Sequence, residues 1–384
     1  MNFYKNILGL CVMLLLFTAC RIDETFFGVS DQKKILVFQV DGQIGSSEID
    51  TTAFTVDLKM PLGTDLSQVA PSVINTSSLS SVKPEAGEIQ NFNEEVIYVV
   101  TAEDGSTQEW RVSIELTGST GGTQPVNSNF EDWYTASYGS VIVTRYQQIG
   151  TSEDVDNFWI TPNEGSKRAF KNENNIPFTK SDGPAVSLTT IDVSSVDGLP
   201  PIAAGSLYSG DFNYGSNLIP DPYQLPVFGK PFTDQPIGFE VDYRYYPGEG
   251  KKYYGIDGDK TLPANDEDAA DIYVMLRFND GQTIQRVATG WFRTADRSFN
   301  PASDNVDTGW ERIQIPIYYG DHEELPDYAQ PKTSLYASLN ESGYAPEGTE
   351  PNEIVVVFSP SANGNDFAGV IDSRLDVANF ELLY

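Results

Sequence analysis

Apolar and polar residues alternate with a period of two along most of this chain. Phe54, Val56 and Leu58 alternate with polar neighbours, and so do Trp110, Val112, Ile114 and Leu116. Side chains two apart share one face of an extended strand, so each run predicts a β-strand with one buried face. The segment EDGST, Glu103 to Thr107, joins VIYVVTA to QEWRVSIEL and offers Gly105 where a tight hairpin needs a positive φ. Further along, IGFEVDYRYY places Ile237, Phe239, Val241, Tyr243 and Tyr245 on one face and Glu240, Asp242 and Arg244 on the other. DIYVMLRF repeats the pattern with Ile272, Val274, Leu276 and Phe278, and RIQIPI and EIVVVF add further strands. In the last run, LDVANFELLY, the apolar phase changes between Val377 and Phe380, which predicts a bulge near Ala378 and Asn379. Long helical periodicity is absent, so the chain is expected to be all-β.

Between Thr117 and Pro125 the sequence TGSTGGTQP holds small, polar and turn residues without apolar content. It divides the chain into an immunoglobulin-like β-sandwich over residues 33–117, a linker over 118–125 and a larger body over 126–384. Long turn-rich insertions separate the strands of the larger body, which fits a two-sheet jelly roll with large loops.

The N-terminus has a different pattern. One charged side chain, Lys5, precedes the apolar run Ile7 to Phe17, and Thr18 and Ala19 stand before Cys20. The run is shorter than the ~20 residues a transmembrane helix needs, which predicts a signal peptide over residues 1–19. The ending FTAC resembles the lipobox of bacterial lipoproteins, with Phe17 where that family usually has Leu. The resemblance implies that Cys20 is acylated and becomes the first mature residue, followed by a tether over 20–32. Cys11 lies in the part removed, so no intrachain disulfide is expected. Asp23 and Glu24 resemble the acidic signal that sends lipoproteins of the Bacteroidetes to the outer face of the outer membrane.

Net charge is −31. Such a surface repels nucleic acid and other polyanions and favours a neutral ligand. His322, in the loop phrase YYGDHEELPD, is the only histidine, which argues against histidine-dependent triads and multi-histidine zinc sites. A glycosidase needs only two carboxylates about 5–9 Å apart, and among 55 acidic residues the sequence does not choose a pair. The acidic run from Asp257 through Asp259, Asp266, Glu267 and Asp268 to Asp271 lacks the spacing of a calcium loop and is expected to be a solvated loop.

The phrases MPLGTDLSQVAPSV and YVVTAEDGSTQEWRVSI resemble the immunoglobulin-like spacer modules of Bacteroidetes surface lipoproteins. AAGSLYSGDF, VDYRYYPGEG, DAADIYVMLRF and the C-terminal VVVFSPSANGNDFAGVIDSRLDVANFELLY occur in the order of the family named the putative carbohydrate metabolism domain. That resemblance implies a jelly roll similar to carbohydrate-binding modules and a glycan-related role, without catalytic residues to carry over. NSNFEDWY also resembles the first strand of several carbohydrate-binding modules, in which a Glu helps to hold a structural calcium. Carried to this chain, the ligands are Glu131, Asp376 and Asn379, but Ala378 stands where the partner aspartate belongs. No other cofactor is expected.

Sugar recognition uses flat aromatic faces together with amide, carboxylate and guanidinium groups. The candidates for stacking are Trp159, Trp291, Tyr246, Tyr253 and Tyr254, each with core packing as the alternative. The expected function is a lipid-anchored outer-membrane protein that binds neutral glycan beside neighbouring glycan-uptake proteins. A glycoside hydrolase on the same jelly roll and an adhesive surface protein without a sugar site remain alternatives. Replacing Cys20→Ser should release the protein from the membrane fraction into the soluble one. Retention equal to wild type would refute lipidation.

Overall fold

The structure is a computed structural model that describes residues 28–62, 64–117, 122–139, 142–195, 200–213, 221–253 and 268–384. The expected signal peptide, the anchor Cys20 and Tyr254 lie outside the described residues. The chain divides into two compact units between Leu116 and Thr117.

The first unit is an immunoglobulin-like sandwich. A two-stranded sheet, Ile35–Val40 with Pro71–Thr76, lies against a five-stranded one whose inner strands are Thr55–Pro61, Thr107–Thr117 and Val96–Thr101. Most of the alternation survives: Val56, Leu58, Met60, Trp110 and Val112 are all buried in one cluster with Phe38 and Tyr98, with Ile114 and Leu116 partly buried against it. Phe54 departs from its strand. It sits in a turn at φ +57° and packs edge-on against Trp110, with ring centroids 5.5 Å apart. Gly105 closes the expected hairpin at φ +83°.

The second unit is a jelly roll of two packed antiparallel sheets. The small sheet runs Asn175–Lys180, Gly183–Thr189, Ser373–Leu383, Gly238–Pro247 and Glu311–Pro316 in spatial order. The strand latest in the sequence therefore occupies its centre. The path of the large sheet is Trp159–Ile160, Leu207–Phe212, Glu353–Ser359, Ala270–Asn279, Ile284–Thr294 and Tyr318–Tyr319. Between the sheets lie Phe239, Val241, Tyr243 and Tyr245 from one side and Ile272, Val274, Leu276 and Phe358 from the other. The expected bulge is present: Asp242 pairs with Ala378 but Glu240 with Glu381, and Asn379 takes φ +50°. One short α-helix, Asn163–Phe170, occurs among the described residues. No helix among them is long and apolar enough to cross a membrane.

Two expectations need correction. Thr123 and Gln124, assigned to the linker, are fixed to the strand Ser373–Leu383. The Gln124 side chain donates to the Leu382 carbonyl (2.8 Å) and accepts from its N–H (2.8 Å), and the Tyr384 hydroxyl donates to the Thr123 carbonyl at 2.6 Å. Trp159, placed in a loop, instead begins a short strand whose pairing with Ser209 turns the indole inward. It is 1% exposed and ringed by Phe130, Phe158, Phe358 and Phe380 at centroid distances of 4.8–5.8 Å. Trp159→Ala should therefore lower unfolding stability by ~3–5 kcal/mol, as for other large core truncations, in urea titrations of the protein. A loss below ~1 kcal/mol would contradict this placement.

Candidate functional site

Strand pairing builds a site on the outer face of the large sheet. Because side chains alternate, every second residue of Ala270–Asn279 points away from the core. Tyr208, Val357, Tyr273 and Trp291 pair in sequence across four strands and form one rung on that outer face. Beside it, Ser359 and Arg293 flank Asp271 in the next rung. The Tyr273 and Trp291 rings stack with centroids 3.9 Å apart and 15° between planes. Tyr328 meets the indole edge-on at 6.0 Å.

The walls come from segments that fold over this floor. Gly210, at φ +149°, brings Val227 and Phe228 so close that a Cβ at this position would lie 2.0 Å from the Val227 carbonyl oxygen. Only glycine fits there. Phe228 thereby packs against Tyr208 at 4.6 Å and Tyr336 at 6.0 Å. On the other side, Phe212 lies against Gly165 of the helix, where a Cβ would come within 2.9 Å of its ring. Phe367, at φ +52°, adds a third wall and meets Tyr223 edge-on at 5.4 Å. Together these groups enclose a cleft of about 170 Å³, with Asp271, Ser359, Ser361 and Asn365 among its polar lining residues.

Two buried carboxyls lie at or beside the cleft. Burial pushes the pKa of Asp271 up, against the pull of a two-pronged hydrogen bond from Arg293, both contacts at 2.7 Å. Asp268 does not line the cleft but accepts from the hydroxyl of Ser361, which does, at 2.6 Å. The Ser373 hydroxyl and the Val370 N–H also donate to it, each at 2.8 Å. Burial outweighs these hydrogen bonds and pushes Asp268 up to about 6. Neither aspartate is the solvated loop residue the sequence predicts: both are almost fully buried.

The structure sorts the other candidates sharply. Trp291 is half-buried and supports the cleft from behind Tyr273. Trp159 is core and faces away from the cleft. Tyr246 is buried on the small sheet beneath Arg297, so it does not share a face with Trp291. Tyr253 lies in a short strand paired with Gly369. His322 stacks on Tyr318 at 4.2 Å. The calcium set is not assembled. Asp376 is fully buried and accepts from Arg244 (2.8 Å) and Arg374 (2.8 and 2.9 Å), while the Asn379 amide donates to Asp242 at 2.7 Å and Glu131 is exposed. Among the described residues no group of three His, Cys, Asp or Glu is placed to hold a metal ion. Tyr208, Tyr273 and Tyr336 are the site residues that the alternation alone did not single out. An aromatic on the nominally polar face of DIYVMLRF was the available signal.

The fold and cleft define a jelly-roll domain with an aromatic-floored pocket on one sheet. Residues 129–383 match the family described as the putative carbohydrate metabolism domain, and the chain belongs to it. Residues 35–114 match a second family, described as SGBP, N-terminal. No curated protein matches the chain. Among solved structures, a putative glycoside hydrolase from Bacteroides thetaiotaomicron is similar at 22% identity and TM-score 0.48, covering 92% of this chain and 97% of that one. Another putative glycoside hydrolase, from Bacteroides vulgatus, is similar at 21% identity and TM-score 0.46, covering 66% and 96% respectively. A family 11 carbohydrate-binding module from Clostridium thermocellum, in complex with a beta-1,3-1,4-mixed-linked tetrasaccharide, is similar at 11% identity and TM-score 0.27, covering 70% and 97%.

The raised pKa of Asp268 has a measurable consequence. The folded state holds a proton that the unfolded chain releases above its ordinary value of 3.8, so this stabilisation is present at low pH and is lost as pH rises through about 6. Between pH 4 and pH 7 the wild type should lose ~2–3 kcal/mol more stability than Asp268→Asn, measured by urea unfolding at both pH values. Parallel pH dependence in the two proteins would contradict it.

Proposed function

We propose that this protein is a surface glycan-binding protein that takes a neutral carbohydrate in the cleft of its second unit. The observation that carries the reading is the cleft itself: tyrosine and phenylalanine rings around a ring-sized space, with amide, hydroxyl and carboxyl groups at hand. Aromatic faces match the C–H faces of a pyranose, and the strongly negative chain disfavours anionic polymers. Membership of the carbohydrate-metabolism family supports this role, as does the match of the first unit to SGBP, which denotes a surface glycan-binding protein. In this reading Cys20 carries a lipid that holds the protein at the outer membrane, and the immunoglobulin-like unit is a spacer. Neighbouring glycan-uptake proteins are its partners.

A glycoside hydrolase is the second reading, favoured by the raised carboxyl of Asp271 within the cleft. Hydrolysis needs a second carboxylate about 5–9 Å away, and Asp271 is the only one lining the cleft among the described residues. Its bonds from Arg293 also favour the ionised form over the acid. Binding is the better-supported role.

A glycan array followed by calorimetry on the hits tests the proposal. Phe212→Ala and Asn365→Ala should each weaken binding about fivefold or more with little change in melting temperature, because each removes a contact of ~1 kcal/mol from the cleft. Undiminished binding in both variants would move the site elsewhere. Sugar products released from a bound glycan would establish the hydrolase, and an empty array would favour the adhesive alternative.

A further inference from the structure

We propose that the cleft takes one terminal sugar ring bearing an apolar methyl group, from either a 6-deoxy position or an acyl substituent, in preference to a fully hydroxylated hexose. This rests on the glycan-binding reading and narrows it.

Size is the first argument. A cavity of about 150 Å³ is known to hold one benzene molecule, so about 170 Å³ has room for one ring and not for a row of them. A chain of sugars lying along the sheet needs a long groove; this cleft is instead walled by the helix on one side and by Tyr336 and Phe367 on others. The ligand therefore enters by its end.

The second argument concerns what the lining still has to offer. The Ser166 hydroxyl donates to Asn174 at 2.9 Å. That of Ser359 donates to the Ser361 carbonyl at 2.9 Å, and that of Ser361 bonds Asp268 at 2.6 Å and Thr190 at 2.7 Å. Each oxygen of Asp271 already accepts one bond from Arg293. The Asn365 side chain bonds Tyr273, so among the described lining residues the Ser206 and Tyr336 hydroxyls are left to meet a sugar, while Pro200, Ile202, Leu225, Pro226, Phe228 and Val357 present carbon. A hexose buried among these would bring more hydroxyls than the cleft can bond, and each unmet one keeps its full desolvation penalty. A methyl group in place of one hydroxyl removes that penalty and gains dispersion contacts with the carbon walls.

The test uses monosaccharide pairs that differ at one group: L-fucose against L-galactose, L-rhamnose against L-mannose, and N-acetylglucosamine against glucose. Affinities are measured by ligand-observed NMR titration on the protein and on Ala204→Leu, which fills the cleft. Ala362→Leu serves if Ala204→Leu does not melt cooperatively. At least one methyl-bearing sugar should bind tenfold or more tightly than its counterpart, with that binding lost in the filled variant. The first two pairs and the third distinguish a 6-deoxy methyl from an acyl methyl. Equal affinity within every pair, or a preference that survives filling, overturns the inference. If the glycan array still shows binding in that case, the glycan reading stands alone. If no carbohydrate binds at all, both fall.

Discussion

The large sheet of the second unit is buried on both faces, and the rest of that unit follows from this constraint. Residues Leu207, Phe358, Ile272 and Phe292 form a rung toward the small sheet, while Tyr208, Val357, Tyr273 and Trp291 form the neighbouring rung on the far side. A sheet whose second face carries tyrosine, methionine and valine cannot leave that face in water without losing hydrophobic stabilisation. The chain covers it with long segments instead of a third sheet. Irregular segments do not pack as a continuous layer, and the gap between them is the cleft.

Holding such segments in place needs more than apolar contact. Arg277 is fully buried on the outer face and donates to the carbonyls of Phe228 (3.0 Å) and Ser338 (2.5 Å) and to Glu353. Arg286 does the same with Glu341, Thr289 and the Ala329 carbonyl. Breaking such a buried pair from one side costs several kcal/mol because the remaining charge is stranded. Each arginine thus fixes the position of a covering segment on the sheet, which apolar packing alone does poorly. The outer face of the small sheet uses the same device. Arg244 bonds Asp376, reaches the Asn305 and Thr308 carbonyls, and lies over the Phe299 ring at 4.2 Å.

The sequence was a good guide wherever one rule dominated. Period-two alternation located the inward residues of both sandwiches, and the phase change at Ala378 and Asn379 located a real bulge. It failed where tertiary covering overrode local polarity. Arg244, Asp271 and Arg277 occupy the polar phase of their strands, yet all are buried under segments that pack on those faces, and Glu240 is buried beside Arg312 and Gln314 of the neighbouring strand. Trp159 reads as a loop residue because its strand is only two residues long, too short to show a period. The cleft was not legible for a related reason. Its floor is a cross-strand rung whose members are spread from Tyr208 to Val357 in the sequence, and its walls are loops without pattern.

The position of Ser373–Leu383 at the centre of the small sheet bears on how the second unit folds as it is made. A chain emerging in sequence order presents Gly183–Thr189 and Gly238–Pro247 long before the strand that joins them has arrived. Until then those strands have unpaired edges and an exposed apolar face, the condition under which chains collapse wrongly or associate. The small sheet of the second unit therefore closes only once Ser373–Leu383 has been made. Its long-range pairings make that step slow, which lengthens the time those edges stay open.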